Sequence, residues 1–349
     1  MSYIESRNSD LRDIHSVYSH DISSFICKYA DLPDLTRVSN ISKNGGVELS
    51  KFNVFPYRYN RLDHSFGMAV ILENFKQDQT HVFEALIHEI AKPSFSYSVD
   101  YLKKYFKIKD FVEPTILEKI TSKELLGDKD FLGNIVTTGI SQTKPYSLGF
   151  ADYPYLSANT LEFILANSYF TRLYELRDVE TFYKDISVCR NEEDNFEFCF
   201  SDLDLAYKFF RLSIELGKKN RSYEAKITRQ LIADVIMLMI RREEITLSDL
   251  FKYSDKAIEE IGLNCTDKRI QEGWQMVRNL NKVQIKFNAM EDSSNYCVKV
   301  PQKSIYIDPL VKTKAGTYRL SRLDGRCEKD LDAYFSTDTD MFMYIDYEL

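Results

Sequence analysis

The chain has 349 residues, 44% apolar and 28% charged, so it can bury a sizeable core and global disorder is excluded. Glycine (12) and proline (8) are scarce, which argues against a loop-rich β repeat or a collagen-like chain. Lys and Arg number 46 against 53 Asp and Glu, a net charge of −7, so no basic surplus makes nonspecific nucleic-acid binding the default.

Helical periodicity dominates the chain. Phe83, Leu86, Ile87 and Ile90 recur at spacings of three and four, which predicts a helix with one apolar face over Val82–Ile90. Leu161, Ile164, Leu165 and Tyr169 repeat the pattern over Asn159–Phe170. Asn191–Asp194 is a short acidic run that reads as a solvated loop. Leu203–Leu216 and Glu224–Arg242 are rich in good helix formers and predict two long helices. Ile245–Ile261 reads as further helical turns, opened by Thr246 or Ser248.

The texture changes near residue 280. Val283–Phe287, Tyr296–Val300 and Ser304–Ile307 alternate apolar and polar residues and read as short strands. The fold class is therefore mainly α, with a helical domain over 1–200. Residues 201–349 form a helical extension with a small β-containing part, the two read as one continuous globular unit. Lys299, Lys303, Lys312, Lys314, Arg319 and Arg322 make the C-terminal part locally basic, which reads as a solvated face.

None of the six cysteines forms a CxxC pair, so a zinc ribbon or thioredoxin-like site is not expected. The polar start, Met1–Asp13, does not read as a secretory segment. No run of 18 apolar residues occurs, so no membrane-spanning helix is expected. Free thiols and a cytoplasmic location follow as expectations.

Two of the five histidines sit in informative settings. His64 lies in Arg61-Leu62-Asp63-His64-Ser65-Phe66-Gly67, and His88 precedes Glu89 inside an apolar helical segment. A buried His-acid doublet needs partners, and a metal ion is one. A histidine taken alone is more often a satisfied core or surface residue. The doublet is not HExxH, because Pro93-Ser94 follow, so a zincin is not expected. No GxGxxG, Walker A run or nucleophile elbow is present.

The segments around these histidines carry a resemblance. Asp31-Leu32-Pro33-Asp34-Leu35-Thr36-Arg37-Val38, Asn44-Gly45-Gly46, Phe55-Pro56 and Asn60-Arg61-Leu62-Asp63-His64-Ser65-Phe66-Gly67-Met68 follow one another in the order of known blocks. Ala85-Leu86-Ile87-His88-Glu89-Ile90-Ala91-Lys92-Pro93-Ser94-Phe95-Ser96-Tyr97 and Ala158-Asn159-Thr160-Leu161-Glu162-Phe163 continue the series. Together they resemble the HD-domain phosphohydrolases, and within them the deoxynucleoside triphosphate triphosphohydrolase branch. The resemblance implies a helical HD fold, a divalent metal (Mn, Mg, Fe, Ni or Zn) held between helices, and a nucleotide pocket beside it. It also implies an oligomer or pairing with another subunit.

The same blocks show departures. The branch binds metal through two His, the Asp of the doublet and a later Asp. Here the set becomes His64, His88, Glu89 and Asn159. Lys92 stands where the branch has a His that helps the chemistry, and Tyr97 replaces a further His. A more distant catalytic His falls near Val112-Glu113. Asn removes a formal charge from the metal shell, and loss of an acidic ligand and a catalytic His costs rate where the metal must polarise a phosphoryl oxygen. Glu162, one helical turn from Asn159, is the candidate to turn inward and restore the carboxylate.

Lys92 and Glu162 are therefore the candidate catalytic residues, with Lys92 also a candidate cation in the metal's position. Thr36, Arg37, Arg61 and Lys92 are expected to hold phosphate, with Tyr97 and Phe163 flanking a base or sugar. The expected function is binding of a nucleotide or other phosphorylated small molecule, with triphosphohydrolase activity impaired or lost and possession of a metal in doubt. The rival expectation is an active metal-dependent phosphohydrolase with an altered His/His/Glu site.

Overall fold

The computed structural model describes residues 3, 7–52, 57–105, 119, 147–288, 296–301, 304–337 and 340–345. The Phe55-Pro56 and Val112-Glu113 readings lie outside the described residues.

Short polar side chains start most helices. Asn8 accepts the Leu11 N–H and opens α1, Ser9–Tyr18; Ser23 does the same for α2, Ser24–Ala30. Asn60 and Asp63 form a reciprocal capping box at the start of α3, Arg61–Asn74. Every residue of α3 from Arg61 to Leu72 is buried, so this helix is surrounded on all sides. Asp78 caps α4, Gln79–Ile87, which packs on α3 and ends at His88. A Ser157/Thr160 box opens α5, Ala158–Phe170, which also packs on α3. Then come α6, Leu176–Asp185, and the long helices α7, Leu203–Asn220, and α8, Tyr223–Arg241. The last are α9, Asp255–Asn264, α10, Lys268–Asn279, and α11, Arg326–Ser336.

Among the described residues seven short strands join the helices: β1 Ser187–Arg190, β2 Phe196–Phe200, β3 Gln284–Lys286, β4 Tyr296–Val298, β5 Leu310–Thr313, β6 Gly316–Arg319 and β7 Phe342–Ile345. One sheet has the order β1-β2-β5-β6, with β2 and β5 parallel and the outer pairs antiparallel. The other is β3-β7-β4, all antiparallel. The expected strands near 284 and 296 are present. Ser304–Ile307 is not a strand; the pairing falls on β5 and β6, where Leu310–Arg319 and Thr313–Gly316 close a tight hairpin. The expected acidic loop is the turn between β1 and β2.

Two apolar cores form. One gathers α1 to α7 with β2, β5 and α11; the other lies around α8, α9 and α10 and centres on the fully buried Trp274. The expectation of free thiols fails at one pair. Cys189 and Cys199 lie across the β1–β2 hairpin with Cα atoms 6.1 Å apart and are joined in a disulfide. The basic C-terminal reading also changes at Arg319, which is buried between Glu197 and Glu192 and ties β6 to β2. No described helix is long and apolar enough to cross a membrane.

Candidate functional site

Helices α3, α4 and α5 bring His64, His88, Glu89, Asn159 and Glu162 together. Asn159 and Glu162 lie one turn apart on α5, and both reach the His64 ring from opposite sides. Asn159 Oδ1 is 2.9 Å from Nε2, and Glu162 Oε2 meets Nδ1 while also accepting the Tyr59 hydroxyl. With the amide oxygen facing the ring, Nε2–H is the donor. Burial pushes Glu162 up to about 8 and drives the His64 imidazole well below its ordinary value, so both are neutral at pH 7. The Glu162 carboxyl then donates to Nδ1. Glycine at position 67 makes the seat: a Cβ there would stand 2.7 Å from Glu162 Oε1. Glu162 does turn inward, and it braces His64 from behind.

His88 is oriented by its own helix. Its Nδ1–H donates to the Ala85 carbonyl at 2.6 Å, which leaves Nε2 as a buried acceptor with no hydrogen-bond partner. Donor atoms of His64, His88 and Glu89 lie within 4.8 Å of one another, a group that could hold a metal ion. Glu162 is not a member of that group.

Both oxygens of the Glu89 carboxylate already face cations. Lys43 Nζ lies 2.6 Å from Glu89 Oε1, and Arg61 holds Oε2. All three side chains are at most 4% exposed. Burial alone would raise Glu89, but Arg61 and Lys43 hold it well below the usual carboxylate range. Arg61 also donates to Ser96 Oγ and lies over the Tyr97 ring at 5.2 Å. The residue types suit a divalent ion. The state of the donors does not: both Glu89 oxygens face a cation, and His64 Nε2 is bonded to Asn159.

Two loops deliver Lys43 and Arg61's partners. Gly45 and Gly46 have φ of 72° and 90°, and a Cβ on either would strike Tyr97 or Phe95. Phe95 itself is left-handed, at φ 51°. Asp255, at the start of α9, accepts the Ser42 N–H with one oxygen and the Phe95 N–H with the other, at 2.8 and 2.7 Å. This buried carboxylate, pushed up to about 6 by burial, fastens both loops.

A pocket of about 540 Å³ opens beside the cluster. Lys43 and Asn159 line it at the cluster, and Tyr97, Tyr101, Tyr153 and Phe163 supply aromatic walls. Arg229 of α8 lines it as well, 5% exposed. Its guanidinium donates to the backbone and side-chain oxygens of Asn220, at 2.9 and 2.7 Å, and its Nε has no partner. Among the described residues no carboxylate stands within ion-pair distance of it.

Of the expected phosphate ligands, Arg61 is spent on Glu89 and Ser96. Arg37 donates to the Ile90 and Lys92 carbonyls at 2.8 and 2.7 Å and so braces the segment after His88. Thr36, at the end of a short helical turn, offers its carbonyl to Ser39 and Asn40. Lys92 is half-buried and is not among the pocket-lining residues. Tyr97 and Phe163 do line the pocket. Lys43 and Arg229 were not expected. Arg229 had a signal, the polar run Lys226, Thr228, Arg229 and Gln230 inside an apolar helix. Lys43 had none beyond its place before Asn44-Gly45-Gly46.

No family model and no curated protein matches the chain. Solved structures do match over nearly its whole length. A phosphohydrolase from Bacteroides thetaiotaomicron superposes with a TM-score of 0.61 at 13% identity, covering 94% of this chain and 97% of its own. A hypothetical protein from Aquifex aeolicus superposes with a TM-score of 0.58 at 14% identity, covering 93% of each. The chain thus has the mainly helical fold of a known phosphohydrolase.

Proposed function

We propose that this chain binds a nucleotide or a related phosphorylated small molecule in the pocket beside His64, without needing a metal, and that triphosphohydrolase chemistry is impaired or lost. Arg229 carries the reading. Among the described residues no carboxylate pairs with this buried guanidinium, which is costly, and a phosphate bound by two parallel N–H groups answers that cost. Lys43 adds a second positive charge to the pocket lining, and the aromatic walls suit a base or sugar. The Lys43–Glu89–Arg61 cluster, with a cation on each carboxylate oxygen, argues against a metal that polarises a phosphoryl oxygen.

A second reading, an active metal-dependent phosphohydrolase, is favoured by the open Nε2 of His88 and its convergence with His64 and Glu89. One experiment separates the two. Deoxynucleoside and ribonucleoside mono-, di- and triphosphates are screened for thermal stabilisation in chelator, and for product release with Mn²⁺, in wild type and His88→Ala. Stabilisation in chelator without turnover is expected. Turnover that disappears in His88→Ala would replace the first reading with the second, and a panel with neither response would refute both.

A further inference from the structure

We propose that Lys43 is a tethered cation standing where a divalent ion would otherwise be held, and that it keeps His64, His88 and Glu89 from taking one. The inference deepens the metal-free reading of this site by naming the group that replaces the metal.

The argument is geometric. Glu89 Oε1 is the oxygen 3.5 Å from His88 Nε2, and it is also the oxygen 2.6 Å from Lys43 Nζ. An ion bridging those two donors would sit about 2.0–2.2 Å from Oε1, and so no more than about 5 Å from the ammonium. Both would lie beside side chains that are at most 15% exposed, where like charges are poorly screened. One carboxylate already faces two cations, Lys43 and Arg61, so an added divalent ion would meet an excess of positive charge.

Nor is Lys43 a surface lysine that has folded inward. Its N–H donates to the Tyr59 carbonyl at 3.0 Å, and the preceding residue is fastened to Asp255. The backbone is thereby fixed next to the segment that carries Arg61, and the side chain is 4% exposed. The donor atoms themselves are present and converge. Removing the ammonium frees Oε1 while Arg61 continues to hold Oε2.

The test is metal binding. Chelator-stripped wild type, Lys43→Gln, Lys43→Met and Lys43→Arg are titrated with Co²⁺, read by visible absorption and by metal analysis after dialysis. Wild type and Lys43→Arg should show no stoichiometric, His88-dependent binding. The neutral variants should bind one ion per chain at least about tenfold more tightly, and adding His88→Ala should abolish the gain. Tight binding by wild type that is lost in His88→Ala would overturn the proposal, and this arm needs no Lys43 variant to fold. Folded neutral variants that bind no better than wild type would overturn it as well. Nucleotide stabilisation in chelator is read separately, so its failure would refute the binding reading and leave this one standing.

Discussion

The pocket has two cationic ends, and they are built on opposite principles. At the His88 end, Lys43 and Arg61 share one carboxylate, so each cation has an anionic partner within the protein while the trio keeps one positive charge in excess. At the α8 end, Arg229 is equally buried, yet its hydrogen-bond partners are neutral, the oxygens of Asn220 and the Tyr101 hydroxyl, and the Glu48 carboxylate acts on it only from beyond ion-pair distance. A paired charge cluster holds helices and loops in place, whereas an unanswered buried charge is a standing cost that an anionic ligand relieves.

The largest expected effect breaks the first end. Glu89→Gln leaves two buried cations against a neutral amide and should cost about 3–5 kcal/mol in urea unfolding. A loss under about 1 kcal/mol would mean that Glu89 is not what holds the two buried cations in place. At the other end the sign should differ. Arg229→Met removes a buried charge that has no carboxylate at ion-pair distance among the described residues, and should leave stability unchanged or raise it by about 1–2 kcal/mol. A loss comparable to that of Glu89→Gln would make the two ends alike and remove the contrast.

Asp255→Asn tests the fastening of the loops. An amide has one acceptor oxygen for two backbone N–H groups, so one is left buried and unsatisfied, at about 1–3 kcal/mol. The variant should also weaken ligand binding through the displaced Lys43 loop, read as a smaller thermal shift. Gly67→Ala presses a methyl onto Glu162 and should cost about 1–3 kcal/mol.

The most gradual effect is a pH dependence behind His64, spread over several pH units. Glu162 is raised in the folded chain to about 8, from an ordinary value of 4.5. Its neutral form is therefore the one the fold favours. The stability it contributes is complete below pH 4.5 and is lost as pH rises through about 8. Over that window the stability should fall by up to about 1.4 kcal/mol per pH unit, and Glu162→Gln should flatten the slope. An unchanged slope in the variant would mean that Glu162 is ionised beside His64.

Much of the fold is legible in the sequence, because helical periodicity and capping residues are local. The expected helices near 82–90, 159–170, 203–216 and 224–242 correspond to α4, α5, α7 and α8. The β1–β2 hairpin is not among the expected elements although Phe196-Glu197-Phe198-Cys199-Phe200 alternates; its charged Glu197 is buried only because β2 lies in mid-sheet and Arg319 of β6 reaches it, a pairing between distant segments. Nor is the disulfide legible, because Cys189 and Cys199 meet only through the hairpin register.

The site divides likewise. His64, His88, Glu89 and Asn159 are legible because their blocks survive as local text. The inward turn of Glu162 followed from helical spacing, but its target, Nδ1 of His64, depends on how α3 and α5 pack. The cation on Glu89 was sought at Lys92, near in sequence, and is Lys43, brought in by a glycine turn and a carboxylate from α9. Arg229 reaches the pocket from a helix with no motif. Pairings between distant segments are tertiary facts that no window of sequence carries.

Calorimetric titration of the metal-stripped chain with a deoxynucleoside triphosphate in chelator, beside Arg229→Met, tests the central claim most directly. The account predicts saturable binding to wild type and at least about a tenfold loss of affinity, or about 1.4 kcal/mol, in the folded variant. Equal affinity in the two proteins, or binding by wild type only after a divalent metal is restored, would contradict it.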